Sequence, residues 1–458
     1  MKVELHGGRT LTLDSNPLGQ GGMGTAYAVM GERTVVKLFH NPTPEMRALM
    51  ERVIDGYNCT RDSDPTRAAY WSSLYVWPTE LVVKPRLGLL MPKYPDGFTN
   101  MIPIFGAKNF QSAPPENKRW NQRMMIAWRL SQAVGRLHLT GLAHSDLSQN
   151  NLIADAKNGR VRIIDIDGLV AEGFNPPMVL GTPGYIAPEV LAGKATPGLP
   201  TDRHALAVLI YQLLLFRHPL TAGRFAFGQD PFDEAAIGLC QLGENGLYIE
   251  HPTDFRNHPT QKKAFGAAML GPTIAGMFER AFVAGLKNPN VRPMPIEWKS
   301  ALGRLFDRIV TCYNKDCHEK FYPIAEGRPA VCPWCNTKLP LKEGLPILRL
   351  YEFSQRGPSL VNDFWIAGYH GRTLHSWHAK PGAEADVFAD QTPIARIERR
   401  PDRTAWLVAM GGEGLARMDD KGQVAESIRQ DGAIKLSPGT AIRLGGAGAR
   451  MAVVQLLQ

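Results

Sequence analysis

The first forty residues alternate between apolar and polar positions, which is typical of strands with one buried face. A glycine-rich stretch at residues 19–24 interrupts the alternation, and the β-branched run Thr34-Val35-Val36 stands directly before Lys37. We therefore expect the chain to begin with a small sheet.

Helical periodicity replaces this alternation farther along the chain. Thr43-Pro44-Glu45 has the composition of a helix start, and apolar residues follow at helical spacing as far as Tyr57. Trp120–Leu139 predicts a second helix, and Asp202–Phe216 predicts a helix that is apolar on nearly every side and therefore buried. A mostly helical part should follow the sheet.

The last hundred residues return to short apolar runs that Gly and Asp turns separate. The runs Ala405–Val408, Ala433–Leu436 and Met451–Leu457 have the length of strands and predict an all-β module. Proline-bearing stretches at residues 289–295 and 340–346 bracket a cysteine cluster, and they mark the expected domain boundaries.

Composition places the chain among ordinary folded proteins, with 44% apolar and 21% charged residues over 458 positions. Lys and Arg outnumber Asp and Glu by 52 to 43, but the excess forms no polybasic run, so we expect no nucleic-acid partner. The first residues lack the apolar run of a signal peptide, and the longest apolar stretch, 205–216, is too short to cross a bilayer. We expect a cytoplasmic protein without a membrane partner.

The first candidate chemistry is a glycine-rich loop. Residues 18–24 contain Gly-x-Gly-x-x-Gly, which lets a backbone approach phosphates without an intervening Cβ, although an ordinary glycine hairpin has the same composition. Lys37 ends an apolar run thirteen residues after Gly24, where its ammonium can hold phosphates. A strand rather than a helix follows the loop, which disfavours a Rossmann site.

Three later segments carry a more specific pattern: His144–Asn151, Ile163–Gly168 and Gly181–Glu189. In order and spacing they resemble the catalytic loop, the magnesium-binding motif and the end of the activation segment of Hanks-type Ser/Thr protein kinases, as found in bacteria. The resemblance covers roughly residues 10–305. It implies an α+β bilobal protein-kinase fold.

The resemblance also implies a role for each matched residue. Asp146 matches the catalytic base, Lys37 the phosphate-binding lysine, and Asn151 and Asp165 the ligands of Mg²⁺ or Mn²⁺. Phosphoryl transfer needs these groups, because it depends on metal-holding oxygens, a phosphate-holding cation and an acceptor for the hydroxyl proton. Four further matches are structural: Thr182, Glu189, Asp202 and Arg292.

The ATP site implied by the resemblance combines the glycine loop with a strand end. Met91 matches the gatekeeper, Pro92 offers a carbonyl to adenine and needs no N–H for that purpose, and Tyr94 supplies the amide donor. A buried strand leading into a turn would have the same residue types. The expected ATP-binding residues are Leu18, Gly19, Gly21, Gly24, Lys37, Met91, Pro92 and Tyr94.

Several positions depart from the kinase pattern. Ser145 replaces the Arg that commonly pairs with a phosphorylated activation loop, so we expect activity without such phosphorylation. Asp167 takes the glycine position of the magnesium motif, and either Asp165 or Asp167 could reach the metal, although the spacing from Asn151 favours Asp165.

The ion-pair partner of Lys37 should be a glutamate in the first helix. Glu45 lies in the first turn, where complementing the helix dipole explains it sufficiently. Glu51 is central, and we prefer Glu51 as the catalytic partner.

The cysteine cluster predicts a structural metal site. Cys312 and Cys317 form one short-spaced pair and Cys332 and Cys335 another, an arrangement typical of a zinc ribbon. His318 is an alternative to Cys317 as a ligand. We expect the metal to replace a core too small to stabilise the segment by itself.

The C-terminal module is less specific. Residues 433–445 look like the closing strands of a forkhead-associated (FHA) sandwich. Gly371-Arg372 and Ser376-Trp377-His378 stand too close together for the phosphothreonine-binding pattern. A degenerate FHA-like interaction sandwich and an unrelated small β-domain both remain open.

Together these features predict a kinase domain at 1–308, a zinc ribbon at 309–345 and a β-sandwich at 346–458. We expect ATP- and Mg²⁺-dependent phosphorylation of Ser or Thr in a protein substrate, including autophosphorylation. The alternative is a nucleotide-binding pseudokinase scaffold that organises partners through its C-terminal modules. The layout is similar to kinases associated with tellurite-resistance gene groups, and that similarity implies a von Willebrand-type protein and a PP2C-type phosphatase as partners.

Overall fold

The computed structural model describes residues 1–101, 120–171, 180–223, 242–243, 245–259, 265–340, 344–354, 357–411 and 414–457. The chain forms two compact units. The first comprises residues 1–118, 122–262 and 277–296, and the second comprises residues 119–121, 263–276 and 297–458. The expected boundary at residue 308 stays a prediction. In the structure, the residues of the preceding helix from 297 onward belong to the second unit.

The chain begins with an antiparallel sheet that closes on itself in the order β1-β2-β3-β4-β6-β5. Alternate side chains point inward, as the sequence pattern predicts, and the enclosed core includes Leu5, Val36 and Leu90. The six strands are β1 Lys2–Leu5, β2 Thr10–Gln20, β3 Gly24–Val29, β4 Thr34–Phe39, β5 Glu80–Lys84 and β6 Gly88–Pro92.

Two α-helices lie between β4 and β5. Thr43 caps α1, Pro44–Glu51, by accepting a hydrogen bond from the Met46 amide, and Pro44 stands in the first turn. This start confirms the sequence prediction. The helical stretch continues beyond Glu51 as a π-helix over Arg52–Gly56, so it ends one residue before the predicted limit at Tyr57. The second helix, α2, covers Pro65–Ser72.

The rest of the first unit is mainly helical, as predicted. α5 is buried over nearly its whole length, which accounts for its lack of a polar face. The α-helices are α3 Trp120–Leu139, α4 Pro188–Leu191, α5 Leu199–Leu215 and α6 Pro272–Phe282, of which residues 120–121 and 272–276 are assigned to the second unit. The short strands are β7 Thr99–Asn100, β8 Leu142–Ala143, β9 Leu152–Asp155, β10 Arg160–Ile163 and β11 Val170–Ala171.

The second unit contains two larger antiparallel sheets, with strand orders β15-β14-β23-β22-β19-β20 and β16-β17-β18-β21. Leu350, Ile366, Ile397 and Leu407 come from both sheets and share one buried core. The strands are β12 Ile309–Thr311, β13 Phe321–Pro323, β14 Leu345–Ser354, β15 Gly357–Ala367, β16 Thr373–His375, β17 Pro393–Arg399, β18 Ala405–Ala409, β19 Leu415–Met418, β20 Val424–Ile428, β21 Ala433–Lys435, β22 Ala441–Arg443 and β23 Met451–Leu457. The helices are α7 Pro295–Phe306 and α8 Ser376–Ala379.

No helix within the described ranges is both long enough and apolar enough to span a membrane.

Candidate active site

A cavity of about 620 Å³ opens beside the closed sheet in the first unit. The β2–β3 hairpin borders it on one side, and residues 144–151 and 165–168 border it on another. The sequence-predicted residues that line it are Leu18, Gly19, Gly21, Gly24, Lys37, Met91, Pro92, Tyr94, Asp146, Asn151 and Asp165. Two groups of residues that are remote in sequence therefore share one cavity.

The glycines of the hairpin differ in what surrounds them. A Cβ on Gly24 would lie 2.7 Å from the Leu38 carbonyl oxygen, so packing of β3 against β4 requires a glycine there. A Cβ on Gly19 or Gly21 would meet no atom within 4 Å. Protein packing does not require those two glycines, and their missing side chains leave room for a ligand beside the backbone.

Lys37 extends from β4 into this cavity. Its strand position is fixed by pairing with Ala26 on β3 and Leu89 on β6. The ammonium lies 2.7 Å from Oδ2 of Asp167 and 3.4 Å from Oδ1 of Asp165. Burial disfavours the charged ammonium, but the two carboxylates outweigh this effect and raise the pKa of Lys37. The lysine is therefore a cation ready to hold phosphate.

Asp146 is held from both sides. The Thr182 hydroxyl donates to its Oδ1 over 2.7 Å, and the Asn151 side-chain amide donates to its Oδ2 over 2.9 Å. The same amide donates to the backbone carbonyl of Asp146. These contacts orient the carboxylate, and they leave the amide oxygen of Asn151 available as a ligand.

Asp165 and Asn151 present the oxygen donors that Mg²⁺ prefers. Asp165 has a left-handed backbone conformation, φ 55°, and its side chain is 52% exposed at the cavity. A non-glycine residue with positive φ persists only where the surrounding structure holds it, which is common at functional sites. The donor set therefore fits a magnesium ion.

Asp202, at the start of α5, fixes the backbone of the segment that carries Asp146. Its carboxylate accepts hydrogen bonds from the amides of His144, over 2.7 Å, and Ser145, over 3.2 Å. The Ser145 hydroxyl in turn donates to the Gly168 carbonyl over 2.9 Å. The segment bearing Asp146 is thus linked to both α5 and the Asp165–Gly168 turn.

Glu189 and Arg292 form a buried ion pair in the same unit. Two guanidinium nitrogens each lie 2.7 Å from one carboxylate oxygen. The pair joins α4 to the segment before α7. This is the contact that the kinase resemblance implies.

Comparison with known proteins agrees with this geometry. Residues 111–237 match the family described as the protein kinase domain. This part of the chain is similar to the protein kinase domain. The chain's sequence is 30% identical over 124 residues to the Saccharomyces cerevisiae serine/threonine-protein kinase PSK2, with 27% of this chain and 11% of the yeast protein covered.

Further relatives are also protein kinases by name. Mouse serine/threonine-protein kinase 40 is 30% identical over 116 residues, which cover 24% of this chain and 27% of the mouse protein. Atypical protein kinase C of Drosophila melanogaster is 37% identical over 110 residues, which cover 23% of this chain and 17% of the fly protein. The aligned regions thus span about a quarter or less of these relatives' lengths.

A solved structure, the kinase domain of a Toxoplasma gondii rhoptry antigen, shares 15% sequence identity with the chain at a TM-score of 0.40. The alignment covers 66% of this chain and 84% of the Toxoplasma domain.

Glu51 is the predicted site residue that the kinase fold does not bring to the cavity. Its Oε1 lies 3.0 Å from Nε of Arg47, one turn earlier on α1, and both side chains are nearly half exposed. Lys37 contacts Asp167 and Asp165 instead. The expected Lys37–Glu51 pair is therefore wrong for this structure, because α1 ends at Glu51 and directs that carboxylate to its own helix surface.

Sequence reasoning did not identify the contact of Asp167 with Lys37 or that of Ser145 with Gly168. The signal for the first was the aspartate in the glycine position of the magnesium motif. No local pattern indicates the second, because it depends on the backbone conformation at Ser145, φ 67°.

The four predicted cysteines lie together in the second unit. Their sulfur atoms are all within 4.8 Å of one another, with Cys312 and Cys335 3.4 Å apart and Cys317 and Cys332 3.7 Å apart. Tetrahedral Zn²⁺ with bonds of about 2.3 Å needs sulfur atoms roughly 3.8 Å apart. The cluster therefore fits zinc.

The thiols of this cluster differ in the direction in which their pKa values are shifted. Burial opposes ionisation of Cys335, but hydrogen bonds with Thr337 and neighbouring cysteines outweigh it and lower the pKa of this thiol to about 6. Burial raises the pKa of the Cys332 thiol above its ordinary value.

Three of the cysteines also pack in one apolar cluster with Trp365 and residues of β14 and β23. The segment therefore shares a core with the C-terminal strands, and the expectation that its own core is too small stays a prediction.

Proposed function

We propose that this protein is an ATP- and Mg²⁺-dependent kinase that phosphorylates Ser or Thr in protein substrates, including its own chain. The observation that carries the proposal is the convergence of Lys37, Asp146, Asn151 and Asp165 on one cavity. Each supplies a group that phosphoryl transfer needs, and each stands at its matching position in the kinase pattern. The names of the relatives support Ser and Thr as the acceptors.

Asp146 acts on the acceptor hydroxyl in this mechanism. Thr182 and Asn151 hold its carboxylate, so the oxygen that accepts the proton keeps a fixed direction. Lys37 binds phosphate oxygens and neutralises part of their charge. Asn151 and Asp165 would hold Mg²⁺, which supplies further positive charge to the transferring group. The backbone of residues 19–22 lines the same cavity and would lie beside the phosphates of bound ATP.

The assigned ATP contacts follow from the same cavity. Leu18 and Met91 offer apolar surface to the adenine ring, and the segment from Pro92 to Tyr94 offers backbone hydrogen bonds. These roles rest on the kinase resemblance together with the position of each residue at the cavity wall.

The C-terminal unit is proposed as a structural and interaction module. We assign a structural Zn²⁺ to the cysteine cluster and a degenerate FHA-like fold to the two sheets that share a core. A bacterial source, a von Willebrand-type partner and a PP2C-type phosphatase are proposed from the resemblance of the whole layout. A cytoplasmic location is proposed because the longest apolar stretch, 205–216, is too short to cross a bilayer.

Transfer of radiolabel from [γ-³²P]ATP to the protein or to a generic acceptor tests the proposed activity. Wild type should incorporate label, and Asp146→Asn should slow incorporation by about 10²- to 10⁴-fold, because the acceptor of the hydroxyl proton is lost. Asp55→Asn is the matched control, since that carboxylate pairs with Arg61 at the exposed surface. A wild type that binds ATP without transferring phosphate would support the scaffold alternative.

A further inference from the structure

The acid nearest to Lys37 is Asp167, the residue that replaces the glycine of the magnesium motif. The two side chains meet at 2.7 Å, and the Asp167 side chain is only 3% exposed. Asp165 lies farther from the ammonium, at 3.4 Å, and is 52% exposed. The two carboxylates of one short segment therefore have different surroundings.

Burial separates the roles that these two carboxylates can play. A carboxylate removed from water is stable only when paired, and Lys37 supplies the charge that Asp167 requires. A magnesium ion keeps several waters in its coordination shell, which favours the exposed Asp165 as its ligand. The turn at 166–168 places both carboxylates within reach of the same lysine.

The first helix offers Lys37 no competing acid. Glu51 contacts Arg47 at the helix surface. Glu45 stands in the first turn of α1 with a fully exposed side chain. The ammonium needs a fixed partner, since a lysine has a flexible four-carbon stem and loses much rotamer freedom when it is held.

We propose that Asp167 is the positioning residue for Lys37: it holds the ammonium at the phosphate side of the cavity in place of a glutamate from the first helix, and it does not bind the metal. This proposal rests on the proposed kinase function. The magnesium motif then has two functions, because Asp165 binds the metal and Asp167 positions the lysine.

Unfolding of the nucleotide-free protein tests the pair without any requirement for activity. Lys37→Met should lower the unfolding midpoint, because it leaves the buried Asp167 carboxylate unpaired. The double variant Lys37→Met/Asp167→Asn should recover most of that shift. In the matched cycle, the effects of Lys37→Met and Glu51→Gln on the unfolding midpoint should add, because the two side chains do not interact. A double variant no more stable than Lys37→Met, or coupling of Lys37 with Glu51 instead, would contradict the proposal.

Nucleotide binding then separates positioning from metal ligation. A fluorescent ATP analogue is titrated with and without Mg²⁺. Asp167→Asn should weaken binding by the same factor in both conditions, whereas Asp165→Asn should abolish most of the enhancement by Mg²⁺. Asp167→Glu keeps the charge and serves if Asp167→Asn does not fold. Loss of the Mg²⁺ enhancement in an Asp167 variant would assign Asp167 to the metal and overturn the proposal.

Turnover completes the test. Asp167→Asn should lower kcat by about 10- to 100-fold with the Mg²⁺ concentration for half-maximal rate unchanged, since misplacing a positioned group costs about that factor. On a Lys37→Met background the same substitution should cause no further decrease. If wild type transfers no phosphate while the unfolding and binding results hold, the proposed function fails and the Lys37–Asp167 assignment stands.

Discussion

The guanidinium of Arg292 and the carboxylate of Glu189 form a fork-to-fork pair with two hydrogen bonds of 2.7 Å. Arg292 is almost completely buried, and its remaining donors reach the carbonyls of Gly285 and Pro200. One side chain thus joins the end of the 181–189 segment, the start of α5 and the chain leading to α7. Planar bidentate geometry of this kind needs arginine.

Arg292→Ala should destabilise the first unit strongly, because it leaves the Glu189 carboxylate buried without a partner. Breaking a buried pair costs about 3–5 kcal/mol. Chemical denaturation followed by circular dichroism measures the effect. Arg47→Ala is the matched control, since its partner Glu51 is nearly half exposed and such pairs contribute little. Equal losses of unfolding free energy in the two variants would show that the buried pair contributes no more to stability than the exposed pair.

Thr182 should contribute to turnover through its hydrogen bond to Asp146. Thr182→Ala removes a charge-assisted bond of 2.7 Å, and we expect kcat to fall about tenfold, which corresponds to roughly 1.4 kcal/mol. Thr182→Ser keeps the hydroxyl and should retain most of the rate. Steady-state kinetics at saturating ATP compare the variants. If the Ser variant is as slow as the Ala variant, the methyl group rather than the hydroxyl matters.

Activity should not depend on phosphorylation of the activation segment. Thr182 is the only hydroxyl residue between Gly168 and Pro183, and its hydroxyl already contacts Asp146. The Ser145 side chain donates to the Gly168 carbonyl and offers no cation to a phosphate. Protein treated with a phosphatase, which is then removed, should start at the same rate as untreated protein. A large loss of rate together with phosphate mapped to Thr182 would refute this expectation.

The sequence was informative where a role depends on residue type and spacing. The segment 144–151 and the magnesium motif carry their chemistry in short fixed patterns, so Asp146, Asn151 and Asp165 could be assigned to one site before any geometry was known. The long helix α3 was predictable for a related reason, because its periodic burial continues over 20 residues and outweighs local exceptions.

The sequence was least informative for residues whose role depends on the direction in which the side chain points. Apolar spacing as far as Tyr57 suggested a central Glu51, but Glu51 is the last residue of α1 and its carboxylate contacts Arg47 rather than Lys37. The pairing of Lys37 with Asp167 depends on the left-handed backbone of Asp165. Aspartate adopts this conformation more readily than most residues do, but no short sequence pattern predicts it here. Likewise, Leu457 belongs to the same apolar cluster as Cys312 although 145 residues separate them, and no local pattern encodes this association.

Zinc should stabilise the second unit through the core that the cysteines share with β14, β15 and β23. Elemental analysis of wild type should give close to one zinc per chain, and Cys332→Ser should lose it. Isolated zinc fingers gain roughly 10–16 kcal/mol from the metal and unfold without it. Here the shared apolar contacts remain, so chelation should lower the unfolding midpoint without unfolding the unit. Fluorescence quenching should show that buried Trp365 becomes more exposed to solvent, and circular dichroism should show that the sheets persist.

Cys59→Ser is the control, because Cys59 lies outside the cluster and its substitution should not affect zinc content. Protein that is purified without zinc, and whose four clustered thiols react freely in the folded state, would rule out the metal site.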